Sequence, residues 1–576
     1  MYWLTMEDEL TKDRHLRNNE YYCMQEVFDF LYICSKKNYN FYHLIEHIIS
    51  DNNLRLAFRN IKTNKGSLTN GLSGQNISII AKMKINKYLK LLKQIILDYK
   101  SSIVKRVEIP KRNGKKRYLG IKEPIDKIVE QAIYQILEPI LTAKFHNNSN
   151  GFIKGRSTSR AIAQFTNYVV KEKLYIVIDL DMKGFFDNVN HSKLLKQLWS
   201  CGVKDKNLLS IISKMLKAEI YGIGVPNKGT PQGGILSPLL ANLVLNEFDW
   251  WLDSKSSKGI RFVRYADDIK ILCPTYSVAR DMLDKIIKWL DKRLGLEVCE
   301  EKTKITNLKK NYSYFLGFKF KVKLKKKKYV IVSHMSDEAL VSVNYKIKKQ
   351  IRKVKKSNNN KLEKELDNYN ALVRGIHNYY DKATNIVEDL KDIYWNTNKF
   401  VYYKMKNVLT FKDGSKNKIP FIRGKPLIEI GKTSHKAPRY KGNSINYFSE
   451  KSRNTFYKRL KIINLFVLEK IVNNPMYYES VEFNDNVISK FCGQLGKYGI
   501  TKSYMYDISD IKPIRIIENG TDKYDNIIIV NSKVEQLLKL RECDDMVKIS
   551  NLIKGVNYKQ LEKINKIRKE NSLSLI

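Results

Sequence analysis

Arg261-Phe262-Val263-Arg264-Tyr265-Ala266-Asp267-Asp268-Ile269-Lys270-Ile271-Leu272-Cys273 sets two runs rich in apolar residues on either side of an Ala-Asp-Asp tip. The pattern predicts a tight β-hairpin, its strands buried on at least one face and two adjacent carboxylates held at the turn. Side by side the two charges repel, and they settle only with a cation or hydrogen-bond donors between them. Magnesium takes carboxylate oxygens together with substrate phosphates, so such a tip suits nucleotide transfer. An ordinary surface turn carries the same local sequence, because Asp favours turns for local reasons. A second carboxylate donor is therefore needed.

Tyr175-Ile176-Val177-Ile178-Asp179-Leu180-Asp181-Met182-Lys183-Gly184-Phe185-Phe186-Asp187 supplies one: a hydrophobic run ending in acids and a glycine, read as a buried strand that delivers a carboxylate at its C-terminal end. Two-metal chemistry needs carboxylates from separate elements, with ions ~4 Å apart. Between the two stretches lies Gly229-Thr230-Pro231-Gln232-Gly233-Gly234-Ile235-Leu236-Ser237-Pro238-Leu239-Leu240-Ala241-Asn242, a Gly-Pro turn leading into an apolar helix.

In this order the motifs resemble the reverse transcriptases encoded by group II introns, the intron-encoded maturases, from about residue 50 to about residue 460. The resemblance implies an α+β fold: a right-hand polymerase with fingers and an antiparallel palm sheet, a helical thumb/maturase domain and a basic C-terminal appendage. The corresponding division is 1–100 N-terminal extension, 101–330 fingers and palm, 331–410 thumb, 411–488 basic DNA-binding region and 489–576 degenerate HNH-like region and tail. It makes Asp181, Asp267 and Asp268 the catalytic ligands of two Mg2+ ions. Asp179 and Asp187 compete for the first place; Asp181 is preferred because the family sets a bulky aromatic five residues later, here Phe186. That ring implies selection of deoxynucleotides, although a core role for it is equally compatible. Lys111 and Arg117 take the triphosphate places, Gln232 lies in the substrate motif, and Lys302, with Lys304 close by, takes the place near the leaving pyrophosphate. Arg156 and the thumb signature Leu372-Val373-Arg374-Gly375-Ile376-His377-Asn378-Tyr379-Tyr380 supply nucleic-acid contacts through Arg156, Arg374, Tyr379 and Tyr380.

Composition agrees. The formal net charge is +46, and Lys and Arg spread along most of the chain, as long grooves for a phosphate backbone require. Seven scattered cysteines without paired spacing predict neither a disulfide framework nor a complete zinc site. No apolar stretch reaches the ~18 residues of a membrane span, and the start lacks a basic leader pattern.

Val107 to Ile121 reads as a hairpin turning at Asn113-Gly114, Pro124 to Phe145 as an amphipathic helix pair, and Gly151 to Ser157 as a basic loop. Tyr314 to Phe320 reads as an aromatic strand with a glycine turn, Lys323 to Lys328 as a solvated charge run, and Ser336 to about Asn407 as three amphipathic helices. Arg439 and Tyr440 form a basic-aromatic pair.

At the C-terminus the resemblance calls for an HNH nuclease stapled by zinc, but only Cys492 remains of its ligands. Leu495, Ser509, Asp510, Asn531, Val534 and Glu535 stand at the other places. No zinc is expected from that set, and endonuclease activity is expected to be lost. The expected partners are group II intron RNA, an RNA template with DNA primer, target DNA and dNTPs, with no membrane and a homodimer left open. The alternatives are a splicing-only maturase and a domesticated reverse transcriptase serving defence or repair. The expected compartment is the bacterial cytoplasm or, for an organelle-encoded chain, the mitochondrial matrix or chloroplast stroma.

Overall fold

The computed structural model describes residues 14–576 apart from 65, 111–115, 232, 406–408, 414–417, 423, 439–445, 458–462 and 542–545. The chain forms two compact units, residues 1–145, 186–243 and 445–576 in one and 146–185 and 244–444 in the other.

In the second unit four antiparallel strands lie in the spatial order Arg261–Tyr265, Asp268–Cys273, Ile176–Leu180, Lys304–Asn307. The central strand Ile176–Leu180 is buried throughout, as its unbroken apolar run requires. Register and alternation put Val177, Asp179 and Asp181 on the same face as Leu272, Lys270 and Asp268. Val177, Leu272 and Val263 join the core there with helix Thr158–Val170. A second sheet, Ser313–Phe315, Phe318–Lys325 and Lys328–Met335, shares that core with the three helices Asp337–Lys356, Asn359–Tyr380 and Ile386–Met405 expected from periodicity.

Two local readings change. The 314–320 stretch is a hairpin, turned by Leu316 and Gly317, both with positive φ. Lys323–Lys328 is no loop: it forms the ends of two strands and their two-residue turn.

In the first unit, the expected helix pair at 124–145 is one helix, Pro124–Thr142, that runs on past Pro139 and is buried nearly all round. Helices Gln25–Lys36 and Asp51–Lys62 cover it. Burial on every side explains why its apolar residues look like two amphipathic patterns when read in order. The 105–121 hairpin forms with Pro110 paired to Lys116, its turn lying outside the described residues.

The boundary expected at 489 falls inside helix Val481–Gly493. That helix packs against Arg14–Tyr21, Asp51–Lys62 and Ile85–Leu97, because its Asp485 is buried and ion-paired to Lys62 and, at 2.9 Å, to Arg59, with Tyr22 donating to it. Strands Leu409–Asp413, Lys418–Ile422 and Lys425–Pro426 form a three-stranded sheet in the other unit, so the expected 411–488 region divides between the two.

Burial alone would raise the Asp485 carboxyl, but Lys62 and Arg59 outweigh it and bring its pKa down to about 2. Its contribution to stability is then fully present above the ordinary carboxylate range and is lost as pH falls through about 2. Asp485→Asn should destabilise the protein by about 3 kcal/mol near neutrality. The gap to wild type should close between about pH 4 and pH 2, read by denaturant unfolding at each pH. A gap that does not change with pH would show that the ion pairs contribute nothing.

Candidate active site

The hairpin closes at Tyr265↔Asp268, leaving Ala266 and Asp267 as its two-residue turn. Ala266 has φ +58, a conformation that favours glycine. Two contacts hold it there. The fully buried Arg264 is bidentate to Asp249 at 2.7 and 2.5 Å and donates to the Ala266 carbonyl at 3.0 Å. From the other side the 146–156 loop pairs with the hairpin, Asn150 N donating to Arg264 O at 2.8 Å and Arg264 N to Asn148 O at 2.9 Å. A Cβ on Gly151 would lie 2.3 Å from Ala266 N, so only glycine allows that approach. Sequence reading singled out this loop for Arg156. The Arg156 guanidinium donates to the carbonyls of His146 and Ser149, both at 2.6 Å, and holds the loop's shape.

Pairing ends at Leu180↔Ile269, so the next residues, Asp181 and Asp268, face each other across the sheet rim. Asp179 points the same way one step deeper. It is buried, accepting from Thr306 Oγ1 at 2.7 Å and Ser313 Oγ at 2.6 Å, and lies 3.0 Å from Lys270 Nζ. Lys270, also buried, reaches Asp268 at 3.2 Å. Burial alone would lower its pKa, but Asp268 and Asp179 outweigh that and hold it above lysine's ordinary value. Asp268 is pushed up by burial, with Lys270 pulling against it.

Asp181 is half-exposed. Its N–H donates to Thr303 Oγ1 at 3.2 Å, and Lys302 Nζ lies 3.2 and 3.3 Å from its two oxygens. Lys302 thus stands where positive charge is favoured, while Lys304 lies over the Tyr314 ring. With the two lysines in place the carboxylates form no closed ligand set. Among the described residues no group of three His, Cys, Asp or Glu side chains does. The donor chemistry nonetheless fits magnesium: Asp181, Asp267 and Asp268 offer only carboxylate oxygens, and the Lys302 ammonium already stands against Asp181 where a cation would.

Phe186 lies in the first unit, half-buried in the turn Phe185–Asp187. Thr230 N donates to its carbonyl at 2.7 Å, Gly229 N donates to Val189 O at 2.7 Å, and a Cβ on Gly233 would meet Gly120 O at 2.8 Å. Phe186, Gly229, Thr230, Gly233 and the paired strands Lys105–Pro110 and Lys116–Ile121 therefore share one surface. A cavity of about 230 Å3 there is lined by Arg106, Tyr118, Asp187, Lys228 and Thr230 among others. Arg117 pairs with Ile109 on the hairpin, its side chain undescribed, and Lys111 and Gln232 lie outside the described residues.

Arg374 is exposed on the thumb helix. Tyr379 and Tyr380 pack against Phe318, and the Tyr379 hydroxyl donates to Leu316 O at 3.1 Å, so both brace the 316–317 turn. His377 Nε2 donates to Ile430 O, 2.8 Å away, as a satisfied helix residue. Arg439 and Tyr440 lie outside the described residues.

At the C-terminus, strands Ile511–Arg515 and Ile527–Asn531 pair and helix Ser532–Lys539 follows. Cys492 is buried, and burial pushes its thiol up to about 12. Leu495 is exposed at a left-handed turn position, and Ser509 donates to Asp507. Asp510 accepts from Tyr498 and from Ser532 N, Asn531 caps helix Ser532–Lys539, Val534 is core and Glu535 pairs with Lys539.

A buried antiparallel sheet that lifts three carboxylates to one rim defines a polymerase palm. Residues 109–320 match the family Reverse transcriptase (RNA-dependent DNA polymerase). The chain is 30% identical to Protein YkfC of Escherichia coli over 45% of this chain and 78% of that protein. It is 27% identical to the Group II intron-encoded protein LtrA of Lactococcus lactis over 65% and 78%, and 26% identical to the putative COX1/OXI3 intron 1 protein of Saccharomyces cerevisiae over 75% and 60%. The chain belongs to the reverse transcriptases encoded by group II introns.

Lys270 was not legible as a functional residue. The signal was a lysine two places after Asp268 in a strand otherwise apolar, hence on the same face and buried. As a partner of Asp268 outside the ligand set, Lys270→Met should weaken Mg2+ binding by about 10- to 100-fold. Mn2+ titration followed by electron paramagnetic resonance checks this, with unchanged affinity overturning it. The double variant Asp179→Asn/Lys270→Met, which removes both buried charges, should regain thermal stability without regaining the affinity.

Proposed function

We propose that the protein extends a DNA primer on an RNA template, and that it binds its host intron RNA and assists its splicing. The observation that carries the reading is the register that sets Asp181 opposite Asp268 beside the Asp267 tip. Two Mg2+ ions held by these carboxylates would activate the primer 3′-hydroxyl and stabilise the leaving pyrophosphate. Asp181, Asp267 and Asp268 hold the charge needed for that, Lys270 keeps Asp268 aimed at the rim, and Lys302 neutralises pyrophosphate as it leaves. Phe186, Lys111, Arg117 and Gln232 select and hold the dNTP, and Arg374 on the exposed thumb face contacts nucleic acid. Tyr379 and Tyr380 serve the same end indirectly, by bracing the turn. The intron RNA, the template with its primer and the target DNA are the proposed nucleic-acid partners. The chain spans 60% of the yeast relative, so these roles rest on the part it shares. The 489–576 region is proposed as a nuclease relic that binds no zinc, since Asp510, Asn531 and Val534 serve as caps, acceptors and core. Among the described residues no helix is long and apolar enough to cross a membrane.

Primer extension on RNA with dNTPs and magnesium tests the reading. Asp181→Ala, Asp267→Ala and Asp268→Ala should each reduce it to background while leaving intron RNA binding and thermal stability near wild type. Asp179→Asn should instead lower stability, because it disturbs buried hydrogen bonds. Retained synthesis by Asp181→Ala would assign the first ligand elsewhere.

Phe186→Val should raise the ratio of rNTP to dNTP incorporation by about tenfold or more, one missing steric contact amounting to about 1–3 kcal/mol. An unchanged ratio would leave Phe186 a packing residue.

A further inference from the structure

From Lys302 to Ser336 the chain contains no acidic residue. Within this stretch the hairpin Phe318–Lys325 and Lys328–Met335 carries Phe318, Phe320 and Val322 on its core face, and so Lys319, Lys321, Lys323 and Lys325 on the other. Lys319 is held by Asp337 at 2.6 Å, and Lys321 lies 5.6 Å from the Tyr312 ring centre. Beyond them Lys323, Lys325 and Lys328 are exposed, and among the described residues none has an acidic partner. Leu324 and Tyr329 on the opposite face are exposed as well, so the end of the hairpin stands clear of the core. Its turn is Lys326-Lys327, both left-handed, with φ +47 and +65. Asn-Gly takes that turn with little strain, whereas two lysines bring strain and mutual repulsion. A hairpin that only connected two strands would have no reason to carry either. A polyanion lying along the face would remove the repulsion.

Same-face residues recur at about 6.6 Å along a strand, close to the separation of successive phosphates on a polynucleotide. We infer that this lysine face docks one strand of RNA, with Lys323 and Lys325 meeting successive phosphates and Lys328, across the hairpin from Lys325, reaching the next. A row of this kind, widened only at its end by Lys328, follows one backbone and does not span a duplex groove. Single-stranded, folded segments are the form in which RNA is held by proteins of this kind of chemistry, and the choice of RNA over DNA rests on the function proposed above.

The test is the salt dependence of oligouridylate binding by the full chain. Each lost phosphate contact on a single strand makes the slope of log K against log salt shallower by about 0.7. Lys323→Gln/Lys325→Gln/Lys328→Gln should therefore be shallower than wild type by about 2. The same three positions changed to Arg should keep the wild-type slope, which separates charge from folding. An unchanged slope in the Gln variant would overturn the inference, as would a change seen only with oligothymidylate. Primer extension by the wild-type protein, measured alongside, tests the polymerase reading separately: its absence together with a shifted slope would sink that reading and leave the docking face standing.

Discussion

The row Asp179, Lys270, Asp268 is the constraint on which the site depends. Along one face of the central sheet, environment changes within a few residues from apolar core at Val177 and Leu272, through a buried ion pair, to a half-exposed rim. A carboxylate at such a rim needs a counter-charge to stay ionised, and a buried lysine needs one in turn. Asp179 supplies the second and is itself fixed by Thr306 and Ser313, which come from two further strands. The position of one reactive carboxylate is thereby set by four strands.

The turn that carries Asp267 depends on packing of a different kind. Ala266 takes a conformation it does not favour because Arg264 holds its carbonyl and the backbone at Gly151 presses on its amide. Neither contact is polar chemistry directed at substrate. Both remove the freedom that a two-residue turn would otherwise have, and the aim of the adjacent carboxylates follows from that.

What could be read in advance was what depends on neighbours in sequence. The hairpin at 261–273 and the three helices from 337 to 405 are written in local periodicity. What escaped depends on distant partners. Lys270 reads as a surface residue until the register places it beside Asp179. Gly151 reads as loop punctuation until the hairpin lies against it, and Tyr379 and Tyr380 read as nucleic-acid contacts until Phe318 comes under them. The 124–142 helix was misdivided because burial on every side erases the stripe from which helices are recognised. Likewise the 489 boundary looked natural only because nothing in residues 481–493 announces that their partners are Arg59 and Lys62.

That last pairing bears on the order in which the protein can be made. During synthesis the helix Asp51–Lys62 leaves the ribosome long before the carboxylate of Asp485 exists. Its two cations wait for that carboxylate until residue 485 has been made. Domains ordinarily fold in sequence as they emerge. Here an earlier segment is completed by a much later one, and a chain stopped before residue 485 would present an unfinished, basic surface to whatever RNA or chaperone lies nearby.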